Sequence, residues 1–319
     1  MTRASRAALA AALVAACLLP RVAAARDELE IAVQHGYGTS RAFTVEGRVA
    51  ERRTSREARA DDSRLRNFWR RLRLLFADEE KGAALRATFA GATFAARTDG
   101  EGYFTIGGAT PRDAAPGWNV LRIETADGAA RTDAEILIVP AENTLGIISD
   151  VDDTVVVSEV PDRSRLLQHT LLENYLQRRP AAGVAELYRA VAARNPRPAE
   201  TAVVYLTASP RQLVPAIRAF LEHNGFPRGP IVAKLVSDGK SDPLFDQEKY
   251  KTERIERILA DLAPVRFVLS GDDGERDPEV YRAIRERHPD RVEAVWIRRV
   301  SPDPARPVYP GQETTPGAR

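Results

Sequence analysis

Two kinds of β structure follow one another in this 319-residue chain: an antiparallel, sandwich-like domain first, then an α/β domain built on a Rossmann-like parallel sheet. Three observations predict this. From Ile31 to Pro140, short β-prone runs are separated by Gly, Asp and Pro. From Leu145 to Val300, buried apolar runs alternate with helical stretches. The length also exceeds what one compact core usually fills.

The first segment, residues 1–25, has the layout of a secretory signal peptide. Arg3 and Arg6 precede an apolar run from Ala7 to Leu19, and Ala23-Ala24-Ala25 stands before Arg26-Asp27-Glu28. The expectation is export, to a periplasmic or extracellular location. A competing reading takes Val14-Ala15-Ala16-Cys17 as a lipoprotein cleavage site with Cys17 acylated. Leu18-Leu19 speak against it, because they prolong the apolar run where such a site turns polar. Cys17 is the only cysteine, so cleavage after Ala25 leaves no disulfide and stability must come from core packing. No later segment offers the roughly 20 apolar residues of a membrane-spanning helix. The charge of +2 includes Arg3, Arg6 and Arg21, and no partnership with nucleic acid is expected.

Residues 26–140 form the β-rich domain, with strands expected at Phe43–Val49, Leu85–Phe89, Gly102–Ile106, Trp118–Ile123 and Ala134–Val139. Asp99-Gly100 between Arg97 and Phe104 predicts a tight hairpin, since Gly adopts positive φ at low cost. One basic amphipathic helix interrupts this pattern at 63–76. Leu65, Phe68, Trp69, Leu72, Leu75 and Phe76 recur at helical spacing between arginines. Its apolar stripe either packs on the β domain or lies on an anionic membrane surface.

Residues 141–300 form the α/β domain. Strands are expected at Leu145–Ile148, Ala202–Leu206, Val265–Leu269 and Val292–Ile297, with helices at 183–194, 211–223 and 251–262. The tail, 301–319, is rich in Pro, Gly and Thr and lacks apolar periodicity, which predicts disorder.

Ligands of such sheets bind beyond the carboxyl ends of the strands. There the chain places Asp150 and Asp152 after the first run, Thr207, Ser209 and Pro210 after the second, and Asp272 and Asp277 after the third. A carboxylate at a strand end can attack phosphorus, and a second one two residues on can handle protons. Asp150 is therefore the candidate nucleophile and Asp152 the general acid and then base. Thr207 can donate to a phosphate oxygen, and Ser209 and Pro210 suit the start of the following helix. Asp272 and Asp277 are hard oxygen ligands suited to Mg²⁺. A cation must hold phosphate against these carboxylates. Lys251, which opens a helix whose Ile255 and Ile258 face inward, is preferred to Lys249.

Asp150-Val151-Asp152-Asp153-Thr154 fits the D-x-D-x-T signature of haloacid dehalogenase superfamily phosphatases, and Thr207, Lys251 and Asp272…Asp277 follow in the order of its remaining motifs. Within that superfamily the chain resembles the family of the yeast actin-patch-associated phosphatidate phosphatase and its bacterial relatives. The likeness extends over His35-Gly36-Tyr37-Gly38, Gly47-Arg48-Val49, Thr98 to Phe104, Gly117-Trp118 and Gly271 to Tyr281.

The resemblance implies a parallel sheet of the haloacid dehalogenase type. It also implies Mg²⁺ at Asp150, Asp152, Asp272 and Asp277, and removal of phosphate from a phosphatidate-like lipid to give diacylglycerol. Thr207-Ala208-Ser209-Pro210-Arg211 departs from the serine-rich run and Trp of relatives, and Asp273 stands where Ser is usual. These departures leave phosphatase chemistry better founded than lipid specificity.

The alternatives are a phosphatase for soluble phosphate esters and a surface-binding protein with secondary catalysis. A helix with Leu166, Leu167, Leu171, Leu172, Tyr175 and Leu176 between residues 159 and 180 either packs on the core or covers the site. His35, His169, His223 and His288 lack metal-ligand spacing.

Overall fold

The computed structural model describes residues 29–33, 36–51, 81–157, 177–210, 213–234, 247–300 and 306–315. The signal-peptide segment with Cys17, the basic helix at 63–76, His35 and His169, and the apolar helix expected before residue 177 lie outside the described residues.

Period-two alternation builds the first sheet. Its strands are Leu29–Val33 (β1), Gly36–Gly38 (β2), Ala42–Glu51 (β3), Ala84–Phe89 (β4), Ala92–Arg97 (β5), Tyr103–Ala109 (β6), Gly117–Thr125 (β7) and Arg131–Ile138 (β8). In β3, Phe43, Val45, Gly47 and Val49 are buried while the residues between them are not. Strand order is β1-β3-β2-β8-β7-β4-β5, with β6 also on β3, and the pairs are antiparallel except β2 with β8. The strands thus hydrogen-bond into one sheet, where a sandwich has two.

That sheet curls on itself. The Phe43 ring packs edge-on against Phe89 and Phe94, with centroids 5.1 and 4.9 Å away, although β3 and β4 are not neighbours in the sheet. The two ends therefore share one core with Ile31, Val45, Leu121 and Ile136.

One turn was not foreseen and another differs from expectation. The β4–β5 hairpin closes through Ala90 and Gly91, at φ 44° and 77°, the double positive φ that matches strand twist in a two-residue turn. Around Asp99 the chain does turn tightly, with Asp99 Oδ1 accepting from the N–H groups of Glu101 (2.8 Å) and Tyr103 (2.9 Å). It is not a hairpin, because β5 pairs with β4 and β6 with β3, and the positive φ falls on Gly102.

The second sheet begins with Leu145–Asp150 (β9). A two-stranded ribbon follows, Val156–Val157 (β10) with Arg179–Pro180 (β11), then Val184–Ala192 (α1) and Ala202–Pro210 (β12). The chain continues through Val214–His223 (α2), Ile231–Lys234 (β13), Gln247–Asp261 (α3), Arg266–Asp272 (β14), Asp277–Arg287 (α4), Val292–Arg298 (β15) and Gln312–Thr314 (β16). The order β13-β12-β9-β14-β15-β16 is parallel throughout.

Every residue of β9 is buried, as a strand with both neighbours and both faces covered must be. Ile147, Val203 and Val268 face a core with Tyr188 of α1 and Ile217 and Phe220 of α2. Ile148, Val204, Phe267 and Leu269 face the opposite one, with Ile255 and Ile258 of α3 and Val280 and Ile284 of α4. Helices therefore cover both faces. Among the described residues, no helix is long and apolar enough to cross a membrane.

A further helix, α4, follows β14, in keeping with the alternation of strands and helices. Two expectations are corrected. Ser209 and Pro210 do not open α2: β12 runs through Pro210, and the helix starts at Val214 with Pro215 pre-setting its first turn. The tail is structured over 306–315, where β16 pairs with β15 through Val295–Gln312 and Ile297–Thr314. A formed strand edge supplies the partners that the tail's own composition does not.

The two sheets are packed together. Tyr37, Leu137 and Val139 join the core of α3 and α4. Trp118 donates through Nε1 to the Ala199 carbonyl (3.1 Å), with the Arg228 guanidinium 4.0 Å from its ring centroid.

Candidate active site

Three neighbouring parallel strands deliver the site. Asp150 lies opposite Leu206, one residue before Thr207, and Ser149 lies opposite Ser270, two residues before Asp272. The three side chains thus emerge at one edge. Asp277 joins them as the first residue of α4, where the helix dipole favours its negative charge. Gly271 makes the approach possible, since a Cβ there would lie 2.4 Å from Asp277 Oδ2.

Asp150, Asp272 and Asp277 are buried, each offering an oxygen within 4.8 Å of the others. Lys251, on the first part of α3, is 2 % exposed. Its Nζ donates to Asp277 Oδ1 (2.5 Å) and Glu275 Oε2 (3.1 Å) and forms an ion pair with Asp150 Oδ1 at 2.8 Å. Lys249 has 67 % of its side chain exposed and lies 3.9 Å from Glu253, so of the two lysines it is Lys251 that the structure brings to the carboxylates.

Burial pushes the Asp150 and Asp272 carboxyls well above the usual range, and Lys251 only partly offsets this. Asp277 is raised for the same first reason. Burial alone would lower the Lys251 ammonium, but Asp150, Asp277 and Glu275 together hold it well above its ordinary value. Beneath the cluster, the Tyr188 hydroxyl shares a 2.7 Å hydrogen bond with Ser149, and burial raises it to about 12. Tyr281 donates to the Ser270 carbonyl (3.0 Å).

One cation among four carboxylates leaves the cluster negative. Two buried oxygens, Asp150 Oδ2 and Asp272 Oδ2, have no hydrogen-bond partner among the described residues, an arrangement costly for the protein alone. All-oxygen donors with unused lone pairs and excess negative charge fit a hard divalent cation such as Mg²⁺.

Asp152 stands apart from this cluster. Its Oδ2 accepts from Thr207 Oγ1 and Ser209 Oγ, both at 3.1 Å, and its Oδ1 lies 3.6 Å from Arg178 Nη2. The expected metal role for the Asp152 side chain is therefore not realised in this geometry, because its oxygens face hydroxyls and a guanidinium. Ser209 is nonetheless at the site, and its N–H donates to Thr207 Oγ1 (2.9 Å). Asp153 takes a left-handed φ of 56°, which Asp tolerates, and its carbonyl accepts from Arg298 Nη1 (2.6 Å).

Glu275 and Arg178 were not among the expected site residues. Glu275 was findable, lying between Asp272 and Asp277. Arg178 had no local signal, since β11 brings it to Asp152 from a distance in sequence. His223 and His288 join no metal-ligand cluster among the described residues.

Residues 145–299 match the family profile described as phosphatidate phosphatase APP1, catalytic domain. Phosphatidate phosphatase APP1 of Saccharomyces cerevisiae is 29% identical over 155 residues, covering 48% of this chain and 26% of that protein. An uncharacterized protein of Schizosaccharomyces pombe is 26% identical over 162 residues, 50% of this chain and 26% of that one. The chain thus spans about a quarter of the length of the curated relatives it matches. A carbohydrate acetylesterase from Xanthomonas citri aligns over 82% of this chain and 57% of that one, at 12% identity and a TM-score of 0.28, too low to carry an argument.

Proposed function

We propose, from the match of residues 145–299 to the phosphatidate phosphatase APP1 catalytic domain, that the chain is a Mg²⁺-dependent phosphatase forming an aspartyl phosphate on Asp150. The observation that carries this reading is the pair of unpaired oxygens, on Asp150 and Asp272, beside a buried lysine where three parallel strands end. The fold type proposed with it is that of the haloacid dehalogenase superfamily.

An Asp150 oxygen bonds to phosphorus as the bond from phosphorus to the ester oxygen breaks. Asp152, protonated, turns from the Thr207 and Ser209 hydroxyls and gives its proton to the departing oxygen, releasing an alcohol. Asp152 then takes a proton from water, whose oxygen bonds to phosphorus while the acyl phosphate bond to Asp150 breaks. Inorganic phosphate leaves and Asp150 is a carboxylate again.

Thr207 and Ser209, freed from Asp152, donate to the phosphate oxygens. Lys251 fixes Asp150 and Asp277 and yields one of its three partners when phosphate is present. Asp150, Asp272 and Asp277 would hold Mg²⁺, which when bound neutralises charge on the phosphoryl oxygens.

The substrate proposed is phosphatidate, giving diacylglycerol, on the strength of the curated relative's name. Export through residues 1–25 and contact of residues 63–76 with an anionic membrane remain part of the proposal. The deciding experiment compares phosphate release from phosphatidate in mixed micelles with release from soluble esters, each with Mg²⁺ and with chelator. Chelator-sensitive release that favours phosphatidate is expected. Release confined to soluble esters would remove the lipid, and none from either would remove the phosphatase.

A further inference from the structure

Residues 306–315 lie beyond the segment matched by the family profile, yet they embrace the loop that joins β14 to α4. Arg306 donates through Nη1 to the Asp273 carbonyl and through Nη2 to the Glu275 carbonyl, and Nη2 also pairs with Glu279 Oε2 at 2.9 Å. Gln312 Nε2 donates to the Pro278 carbonyl (2.6 Å), and Tyr309 donates to Glu279 Oε1 (3.4 Å).

The two carbonyls held by Arg306 flank Gly274. The Gly274 N–H donates to Asp272 Oδ1 at 2.6 Å, leaving Oδ2 as the unpaired oxygen of the acidic cluster. The Asp273 carbonyl and the Gly274 N–H belong to one planar peptide and point in opposite directions. Fixing the carbonyl on one side therefore fixes the N–H on the other. Asp273 is anchored as well: its Oδ1 accepts from the Val300 N–H (2.7 Å) and its Oδ2 lies 3.2 Å from Arg299 Nη1.

We infer that Arg306 is a positioning residue for the metal ligand Asp272, acting through the Asp273–Gly274 peptide, and that the C-terminal segment is thereby a working part of the site. The inference rests on the reading that Asp150, Asp272 and Asp277 hold Mg²⁺. The sign of the effect separates it from general electrostatics. Deleting a nearby positive charge by itself strengthens cation binding, whereas releasing the loop weakens it.

The test is calorimetric titration of Mg²⁺ into the full chain and its variants, with thermal melts alongside. Arg306→Ala weakens Mg²⁺ binding about tenfold, the lower end of what loss of a group orienting a metal ligand costs. Arg306→Lys keeps the charge but cannot span both carbonyls, so its loss is intermediate. Arg285→Ala gives up a tail contact to the Gly311 carbonyl, remote from Asp272, and leaves Mg²⁺ affinity at the wild-type value even where the melting temperature falls.

Unchanged or tighter Mg²⁺ binding in Arg306→Ala overturns the inference, and if that variant does not fold, the same result in Arg306→Lys does so. Wild-type protein that binds no Mg²⁺, or an Asp272→Asn variant that binds it equally well, instead removes the metal reading beneath it.

Discussion

Water reaches the two sides of the site to different extents. The side chains of Asp150, Asp277 and Lys251 are 4 %, 0 % and 2 % exposed, while that of Asp152 is 17 % exposed and that of its partner Arg178 10 %. Strand ends and a helix fix the first side, and two hydroxyls with one arginine hold the second. A charge removed from water must be matched where it stands, since removing one partner of a buried pair costs several kcal/mol. A half-open corner can exchange partners cheaply. The division suits the chemistry proposed, in which Asp150 stays put and Asp152 must move.

The sharpest way to break this comparison is Asp150→Asn. Loss of phosphate release by at least about a thousandfold is expected, with unchanged circular dichroism, since removing a nucleophile typically costs more than that. Appreciable activity would move the nucleophile elsewhere.

Lys251→Met comes next and acts on stability. It strips the cation that Asp150, Asp277 and Glu275 share, and a urea titration should show a loss of about 3–5 kcal/mol. Its pH dependence has a definite sign. Burial raises Asp150, Asp272 and Asp277, so their protonated forms are favoured in the folded protein. The stability linked to them is full at low pH and lost as pH rises through the raised values. Without Lys251 they rise further, so the deficit is larger at pH 8 than at pH 5. An equal deficit at both would show that the lysine and carboxylates are not coupled.

A smaller effect is the proton released when Mg²⁺ binds. Carboxyls raised by burial must lose their protons to bind it, so Mg²⁺ affinity climbs with pH through the raised range and then levels off. Titrations in buffers of different ionisation enthalpy should give different heats, and identical heats would contradict it.

The smallest expected change is at the open corner. Arg178→Ala removes a partly solvated partner of Asp152 worth about 1 kcal/mol, so kcat/KM should fall about fivefold while the melting temperature stays put. A fall as large as that of Asp150→Asn would erase the distinction between the two sides.

What was legible in the sequence follows the same line. Asp150, Thr207 and Asp272 could be read because each follows an apolar run, and a strand end fixes where its next residue emerges, whereas Asp277 was read from the acidic loop after the third run. Lys251 could be ranked over Lys249 from the helical spacing of Ile255 and Ile258. The turning of Asp152 toward Thr207, Ser209 and Arg178 could not be read, because it depends on side-chain rotation and on β11 arriving from elsewhere.

Strand β16 was equally hidden. Gln312, Glu313 and Thr314 carry no alternation, and what orders them is the edge of β15 and arginines distant in sequence. In the β-rich half β3, β4, β6, β7 and β8 were read from their alternation, while β1, β2 and β5 were not. Its closure into one curled sheet is set by which strands meet, which alternation does not encode.

The packing of Tyr37, Leu137 and Val139 against Ile255, Ile258 and Ile284 sets how the molecule comes apart. A cut at residue 140 would not free an autonomous enzyme. It would strip a shared apolar surface and leave the outer faces of α3 and α4 wet and adhesive. The two halves should melt in one cooperative transition, so that damage to a strand far from any catalytic carboxylate lowers the amount of active enzyme without altering how each surviving molecule turns over.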